Sequence, residues 1–135
     1  MGWRSRQDTT FELAPYLSKK NIAYIPMTAQ EIKPDDNQVI LADGRVVDYD
    51  YLVIATGPKL AFDEVDGLGP WGYTHSVCTI DQAEKTYAAW QEFLLDPGHI
   101  VVGPVQMASC FGPAYEFAFI MDADLRKRKL RHQVP

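Results

Sequence analysis

Cysteine is nearly absent from this chain: Cys78 and Cys110 are the only two among 135 residues. That excludes a disulfide-stapled scaffold, and it falls short of the four protein ligands of a structural zinc site. Histidine is almost as sparse. His75, His99 and His132 show no metal-ligand spacing with the cysteines, so we expect ordinary loop or surface histidines and no metal. No apolar run approaches the length of a membrane-spanning helix, and Met1-Gly2-Trp3-Arg4 lacks the apolar core of a secretory signal. Basic residues are in the minority, 13 against 18 acidic ones, and the formal net charge of -5 argues against a nucleic-acid partner. Arg126-Lys127-Arg128-Lys129 and Arg131 hold five of those 13, whereas every acidic residue precedes position 125. We read that cluster as a solvated helix end whose cations complement the C-terminal dipole.

What is present suffices for a core, since 47% of the residues are hydrophobic and the length is that of one modest domain. Phe11, Leu13, Ala14 and Leu17 form a short amphipathic pattern, which predicts a short helix limited by Pro15 and ending near Lys19-Lys20-Asn21. Ile22–Met27 reads as a strand. Gln38–Leu41 reads as another, which Ala42-Asp43-Gly44-Arg45 turns back into Val46–Asp50 as an antiparallel hairpin. Tyr51-Leu52-Val53-Ile54-Ala55 lacks alternation, as expected of a strand buried on both faces.

Residues 61 to 76 hold Gly67, Gly69, Pro70 and Gly72 and read as an irregular connection. Beyond it, Thr79 or Asp81 is placed to cap a helix through Leu95, with Ala83, Tyr87, Trp90 and Leu94 on one stripe. Ile100-Val101-Val102 reads as the next buried strand, followed by a turn containing Gly103, Cys110 and Gly112. Pro113 to Lys129 reads as the second long helix, because proline suits a first helical position. Apolar strands followed by helices indicate an α/β fold with parallel sheet segments. Cys110 then faces the start of a helix, where unpaired N–H groups and the dipole favour the reactive thiolate. Its bland alternative is a buried free cysteine acting as a small hydrophobe.

Leu41-Ala42-Asp43-Gly44 followed by Tyr49-Asp50-Tyr51-Leu52-Val53-Ile54-Ala55-Thr56-Gly57 resembles the segment that closes the first nucleotide-binding domain in flavoproteins with two dinucleotide-binding domains. Glycine at 57 lets a cofactor approach the backbone at the strand's carboxyl end. Ala55–Phe62, His75-Ser76-Val77-Cys78-Thr79 and Ala108-Ser109-Cys110-Phe111-Gly112-Pro113-Ala114-Tyr115-Glu116-Phe117 narrow this to a resemblance to the sulfide:quinone oxidoreductase family, over nearly the whole chain. The resemblance implies an α/β, Rossmann-like flavoprotein carrying a small antiparallel hairpin. Residues 1–77 would form the C-terminal part of the FAD-binding domain, and residues 78–135 the opening helix-strand-helix of the second domain. It implies that Cys110 is one of two redox cysteines bridged by sulfur beside the flavin, and that Cys78 is a third family cysteine farther away. It also sets Thr28, Ala29, Ala55, Thr56 and Gly57 against FAD.

A strand, a glycine turn and a helix would also suit a nicotinamide cofactor, which needs glycines where the backbone approaches the pyrophosphate. Gly103-Pro104-Val105-Gln106-Met107 offers one glycine, loses a donor at Pro104 and puts a bulky Met107 at closest approach, so we expect no NAD(P). Gln82 stands where many relatives have a histidine, which puts proton transfer from that position in doubt. The glycine fingerprint for FAD, the second redox cysteine and the membrane-binding region lie outside these residues in the family, so the chain reads as an internal fragment. For the parent protein the resemblance implies sulfide and quinone as substrates and a peripheral place at a bacterial membrane. The fragment itself is expected to be soluble, inactive alone, and able to hold FAD weakly if at all. Two alternatives stand: the flavoprotein subunit of a flavocytochrome c sulfide dehydrogenase, or an inactive folded fragment that forms homo-oligomers through exposed strand edges.

Overall fold

A computed structural model describes residues 1–108 and 110–135; Ser109, within the second cysteine motif, lies outside the described residues. The chain divides into two compact units, Thr10–Leu60 and a second made of Met1–Thr9 with Ala61–Pro135.

The Thr10–Leu60 unit is built on an antiparallel meander. Helix α1 (Arg6–Thr9) precedes it in the chain, and α2 (Ala14–Ser18) opens the unit. Asn21, at φ 55°, turns the chain out of α2 while Ile22 N–H donates to the Leu17 carbonyl at 3.0 Å, so this helix ends where its sequence pattern places the end. Strands β1 (Ala29–Lys33), β2 (Gln38–Leu41) and β3 (Val46–Asp48) follow in that spatial order. The hairpin β2–β3 is the expected one, pairing Val39 with Val47 and Ile40 with Val46. Arg45 clamps its turn by donating backbone and side-chain hydrogen bonds to Asp43.

The first strand falls later than its apolar run suggests. Ile22–Met27 forms no strand: Pro26 has no N–H to give a ladder, and Met27 N–H turns back to the Ile25 carbonyl at 2.8 Å. Pairing begins instead at Ala29, opposite Leu41, with a register shift before Glu31. A second correction concerns Tyr51–Ala55. This run is extended but unpaired, with Tyr51 94% and Val53 86% exposed. Apolar sequence makes a buried strand only when neighbouring strands satisfy its backbone and cover both faces. Among the described residues the one sheet is the meander, so the expected parallel segments are absent from them.

The other unit packs two helices. Helix α3 (Ile80–Phe93) begins at Thr79, whose hydroxyl accepts the Gln82 N–H at 3.3 Å, and Asp81 stands in its first turn. Helix α4 (Gly112–Lys127) begins with Pro113 in its first turn, as its sequence predicts. Trp90 of α3 and Met121 and Leu125 of α4 are buried together with Val134, and Phe93, Leu94, Ile100, Phe117 and Leu130 pack around them. Burying Met121, Leu125 and Val134 contributes roughly 1.5–3 kcal/mol each, and the half-buried neighbours contribute less. Ile100 enters that core, but Ile100–Val102 is no strand, and Val101 is 97% exposed for the same lack of neighbours.

Asp124, 2% exposed, lies at the centre of this unit. Its carboxylate accepts from Trp90 Nε1 at 3.0 Å, Trp3 Nε1 at 3.3 Å and Arg128 Nε at 2.7 Å. The N-terminal strap is fastened a second time by Arg6, which binds Glu84 at 2.9 Å and also pairs with Asp81 on α3. The basic cluster is less free than a solvated helix end. Arg126 and Arg131 both engage Asp122, and Arg128 engages Asp124.

Candidate functional site

Both cysteines occupy the same position relative to a helix. Cys78 immediately precedes the N-cap of α3, Thr79, and Cys110 immediately precedes the N-cap of α4, Phe111. The caps expected from sequence, Thr79 or Asp81 for one helix and Pro113 in the first turn of the other, already put both thiols just ahead of a helix, and the geometry places them there. Each thiol is free and exposed, so the reading of Cys110 as a buried small hydrophobe is excluded.

The two helix starts differ in what already satisfies them. At α3 the Thr79 hydroxyl takes one N–H, and Ser76 ties the preceding turn down: its hydroxyl donates to Gln82 Oε1 at 2.8 Å and accepts from the Cys78 N–H at 3.3 Å. Thr86 Oγ1 donates to the Ser76 carbonyl at 2.7 Å, completing a brace around Cys78. Gln82 is therefore a structural strut. At α4 the N-cap residue, Phe111, has no capping side chain, and the first turn carries no acidic residue. Pro113 has no N–H and the Ala114 N–H donates to the Phe111 carbonyl at 3.1 Å, so this start offers an anion at most the N–H groups of Phe111 and Gly112 together with the helix dipole. The approach to Cys110 runs through a turn closed by Ala108 N–H to the Val105 carbonyl at 3.2 Å, in which Met107 adopts φ 66°. A non-glycine residue there is uncommon and costs about 1 kcal/mol.

The five backbone positions assigned to FAD lie in the other compact unit. Thr28 and Ala29 are committed to the sheet, for the Thr28 carbonyl accepts the Ala42 N–H at 2.9 Å and Ala29 pairs with Leu41. Ala55-Thr56-Gly57 is different: it is exposed and in no sheet. Gly57 has φ 72°, and a Cβ there would meet nothing within 4 Å, so the conformation selects glycine while leaving the backbone open to a flat group. Residues 55–57 fit a nucleotide lying against the main chain; Thr28 and Ala29 would contribute only through atoms the sheet does not use.

Sequence reasoning missed the Asp124 clasp, although one signal was present: Asp124 and Arg128 are four apart on α4, an ion-pair spacing. Burial raises the Asp124 carboxyl, but hydrogen bonds from Arg128, Trp90 and Trp3 outweigh it and hold the group below the usual carboxylate range. Among the described residues, no three His, Cys, Asp or Glu side chains come together as a metal site.

The exposed thiol ahead of α4 and the exposed glycine backbone at residue 57 belong to different units, and comparison with known proteins supplies the class to which both are assigned. No family model matches the chain. It is 45% identical over all its 135 residues to the sulfide-quinone reductase of Aquifex aeolicus, covering 31% of that protein. It is 32% identical over 138 aligned residues to a mitochondrial sulfide:quinone oxidoreductase of Dictyostelium discoideum, with 96% of this chain and 29% of that protein covered. The crystal structure of the Aquifex aeolicus sulfide:quinone oxidoreductase superposes with a TM-score of 0.91 across the whole chain, again 31% of that structure. Over its full length the chain belongs to the sulfide:quinone oxidoreductase family. It spans about a third of the length of the curated relatives it matches.

Proposed function

We propose that this chain is the part of a sulfide-oxidising, quinone-linked flavoprotein that carries one redox cysteine and one wall of the FAD site. The observation that carries this reading is Cys110, exposed beside the uncapped start of α4 within a chain whose sequence and backbone follow the Aquifex aeolicus enzyme throughout. In this reading residues 1–77 close the FAD domain of a doubly Rossmann-like protein, and 78–135 open the second domain at the capped start of α3.

Cys110 works as a sulfur carrier. Hydrosulfide attacks a sulfane sulfur held between Cys110 and a second cysteine contributed from outside these residues; one S–S bond forms, one breaks, and a thiolate leaves. The dipole at the start of α4 stabilises that anion. Bound FAD supplies the two-electron acceptor between thiolate and quinone. Thr28, Ala29, Ala55, Thr56 and Gly57 would hold it by backbone contact, and Cys78 lies apart from the sulfur bridge, its turn held by Ser76 and Gln82. The parent works peripherally at a bacterial membrane; among the described residues no helix is long and apolar enough to cross one.

The test is a chimera in which this chain replaces the matching third of the Aquifex aeolicus protein. Flavin absorbance that bleaches on adding sulfide is the expected result. A folded chimera that holds flavin but is not bleached contradicts the role of Cys110. The chain alone should show no sulfide-dependent quinone reduction, since one redox cysteine cannot hold a sulfur bridge.

A second reading is favoured by the exposed run Tyr51–Ala55 and by Val101. Taken by itself, the chain associates with copies of itself through these unpaired apolar backbones. Sedimentation should show concentration-dependent oligomers that Ile54→Lys disperses; a strict monomer at high concentration rules this out.

A further inference from the structure

The segment Met1–Thr9 has no part in the chemistry above, and side chains hold it to the two long helices of its unit. Among the described residues no backbone hydrogen bond joins it to α3 or α4. It is fastened at two points. At the first, Trp3 Nε1 donates to Asp124 on α4 at 3.3 Å, Met1 packs at the margin of the core, and Gly2, at φ 71°, lies so close to the Tyr87 ring that a Cβ would collide with it. At the second, Arg6 Nε and Nη2 donate to Glu84 on α3 at 2.9 and 2.6 Å, and Arg6 also pairs with Asp81.

Both points are weaker than the core they rest on. Arg6 and its two carboxylates are well exposed, so water and salt screen their attraction. Trp3 is 56% exposed and makes the longest of the three hydrogen bonds that Asp124 accepts, whereas Trp90, bound to the same carboxylate, is 6% exposed. A cavity of about 360 Å³ is lined by Gly2 and Trp3 and by Tyr87, Asp124, Lys127 and Arg128 of the helices, so close packing does not seal this contact. The segment also keeps a shape of its own. Ser5 donates to Asp8 Oδ2 from its N–H and its hydroxyl, each at 2.8 Å, and the Thr9 hydroxyl donates to the Ser5 carbonyl at 3.1 Å. Few buried contacts outside and local bonds within are the marks of a piece that opens below the free energy of global unfolding.

We infer that Met1–Thr9 is a latch that opens as a unit while the α3–α4 pair stays folded, with Trp3 and Arg6 as its two catches. The chain passes from the helical unit to the Thr10–Leu60 unit after Thr9 and returns at Ala61. A closed latch fixes both passages to the helical unit, and an open one leaves only the return fixed.

The test is deuterium exchange of the three tryptophan indole N–H groups in the purified chain, read by NMR, with Trp3→Phe and Trp71→Phe assigning the signals. Exposed Trp71 supplies the unprotected rate, and Trp90, sharing Asp124 with Trp3, reports the helix pair. Trp3 should exchange roughly tenfold or more faster than Trp90. Arg6→Gln removes the other catch without touching the indole, and should speed Trp3 exchange about threefold, the size expected of exposed ion pairs, with Trp90 unchanged relative to Trp71. Raising sodium chloride from about 50 mM to about 1 M should act in the same direction on the unaltered chain. Equal exchange at Trp3 and Trp90, or Trp90 accelerating in step with Trp3, would show that the segment opens only with the helices and would overturn the proposal. Trp3 exchange unmoved by Arg6→Gln would overturn it too, since the indole would then be exposed by itself rather than by a segment moving as a unit.

Discussion

Cys110 and Cys78 present the same thiol one residue ahead of a helix cap, so whatever distinguishes them must come from the caps. Thr79 fills the start of α3 and Asp81 adds a negative charge there, while α4 has neither. Alkylation of the folded chain at mildly acidic pH, followed by peptide mapping, should therefore label Cys110 before Cys78. Equal or reversed labelling in the folded chain, with matched rates after unfolding, would show that the open helix start does not activate Cys110. Asp124 supplies the second prediction at this scale. Its carboxyl is pushed up by burial but held down further by Arg128, Trp90 and Trp3, so its folded value lies below its unfolded one. The stabilisation is therefore complete above the ordinary aspartate range, near pH 4, and is lost as the pH falls through the folded value. Asp124→Asn should cost about 2–3 kcal/mol at pH 7, because a buried acceptor for two indoles and a guanidinium loses its charge. The variant should also lose less stability than wild type between pH 7 and pH 3, as read from urea midpoints. Parallel pH profiles would remove Asp124 from the acid response.

Helix ends set the scale above. Lys129 follows α4 with φ 62°, while Leu130 N–H donates to the Leu125 carbonyl at 2.9 Å and Lys129 N–H to the Arg126 carbonyl at 3.0 Å. This two-bond closure usually has glycine at the left-handed position. Lys129→Gly should relieve about 0.5–1 kcal/mol and raise the midpoint of thermal unfolding; an unchanged or lower midpoint would mean the strain is met elsewhere. The same elements show what sequence can reveal. Helices α3 and α4 and the β2–β3 hairpin were legible because their signals are local: Thr79 at a cap, Pro113 in a first turn, Asp43-Gly44 at a reversal. Cys110 was legible as a helix-start thiol for that reason too. Tyr51–Ala55 and Ile100–Val102 were read as buried strands and are not, since strand pairing depends on neighbours that no local pattern encodes. The Asp124 clasp eluded sequence reading because it joins residues 3, 90, 124 and 128, brought together only by packing.

For the molecule as a whole, the account rests on one residue in one setting: Cys110 as sulfur carrier at the start of α4, inside a segment whose backbone follows the Aquifex aeolicus enzyme throughout. The most direct test is sulfide-dependent quinone reduction by the chimera that carries this chain in place of the matching segment, compared with the same chimera bearing Cys110→Ser. A hydroxyl cannot carry sulfane sulfur, so the account predicts turnover in the first protein and none in the second, with flavin content unchanged. Equal turnover in the two proteins would contradict it.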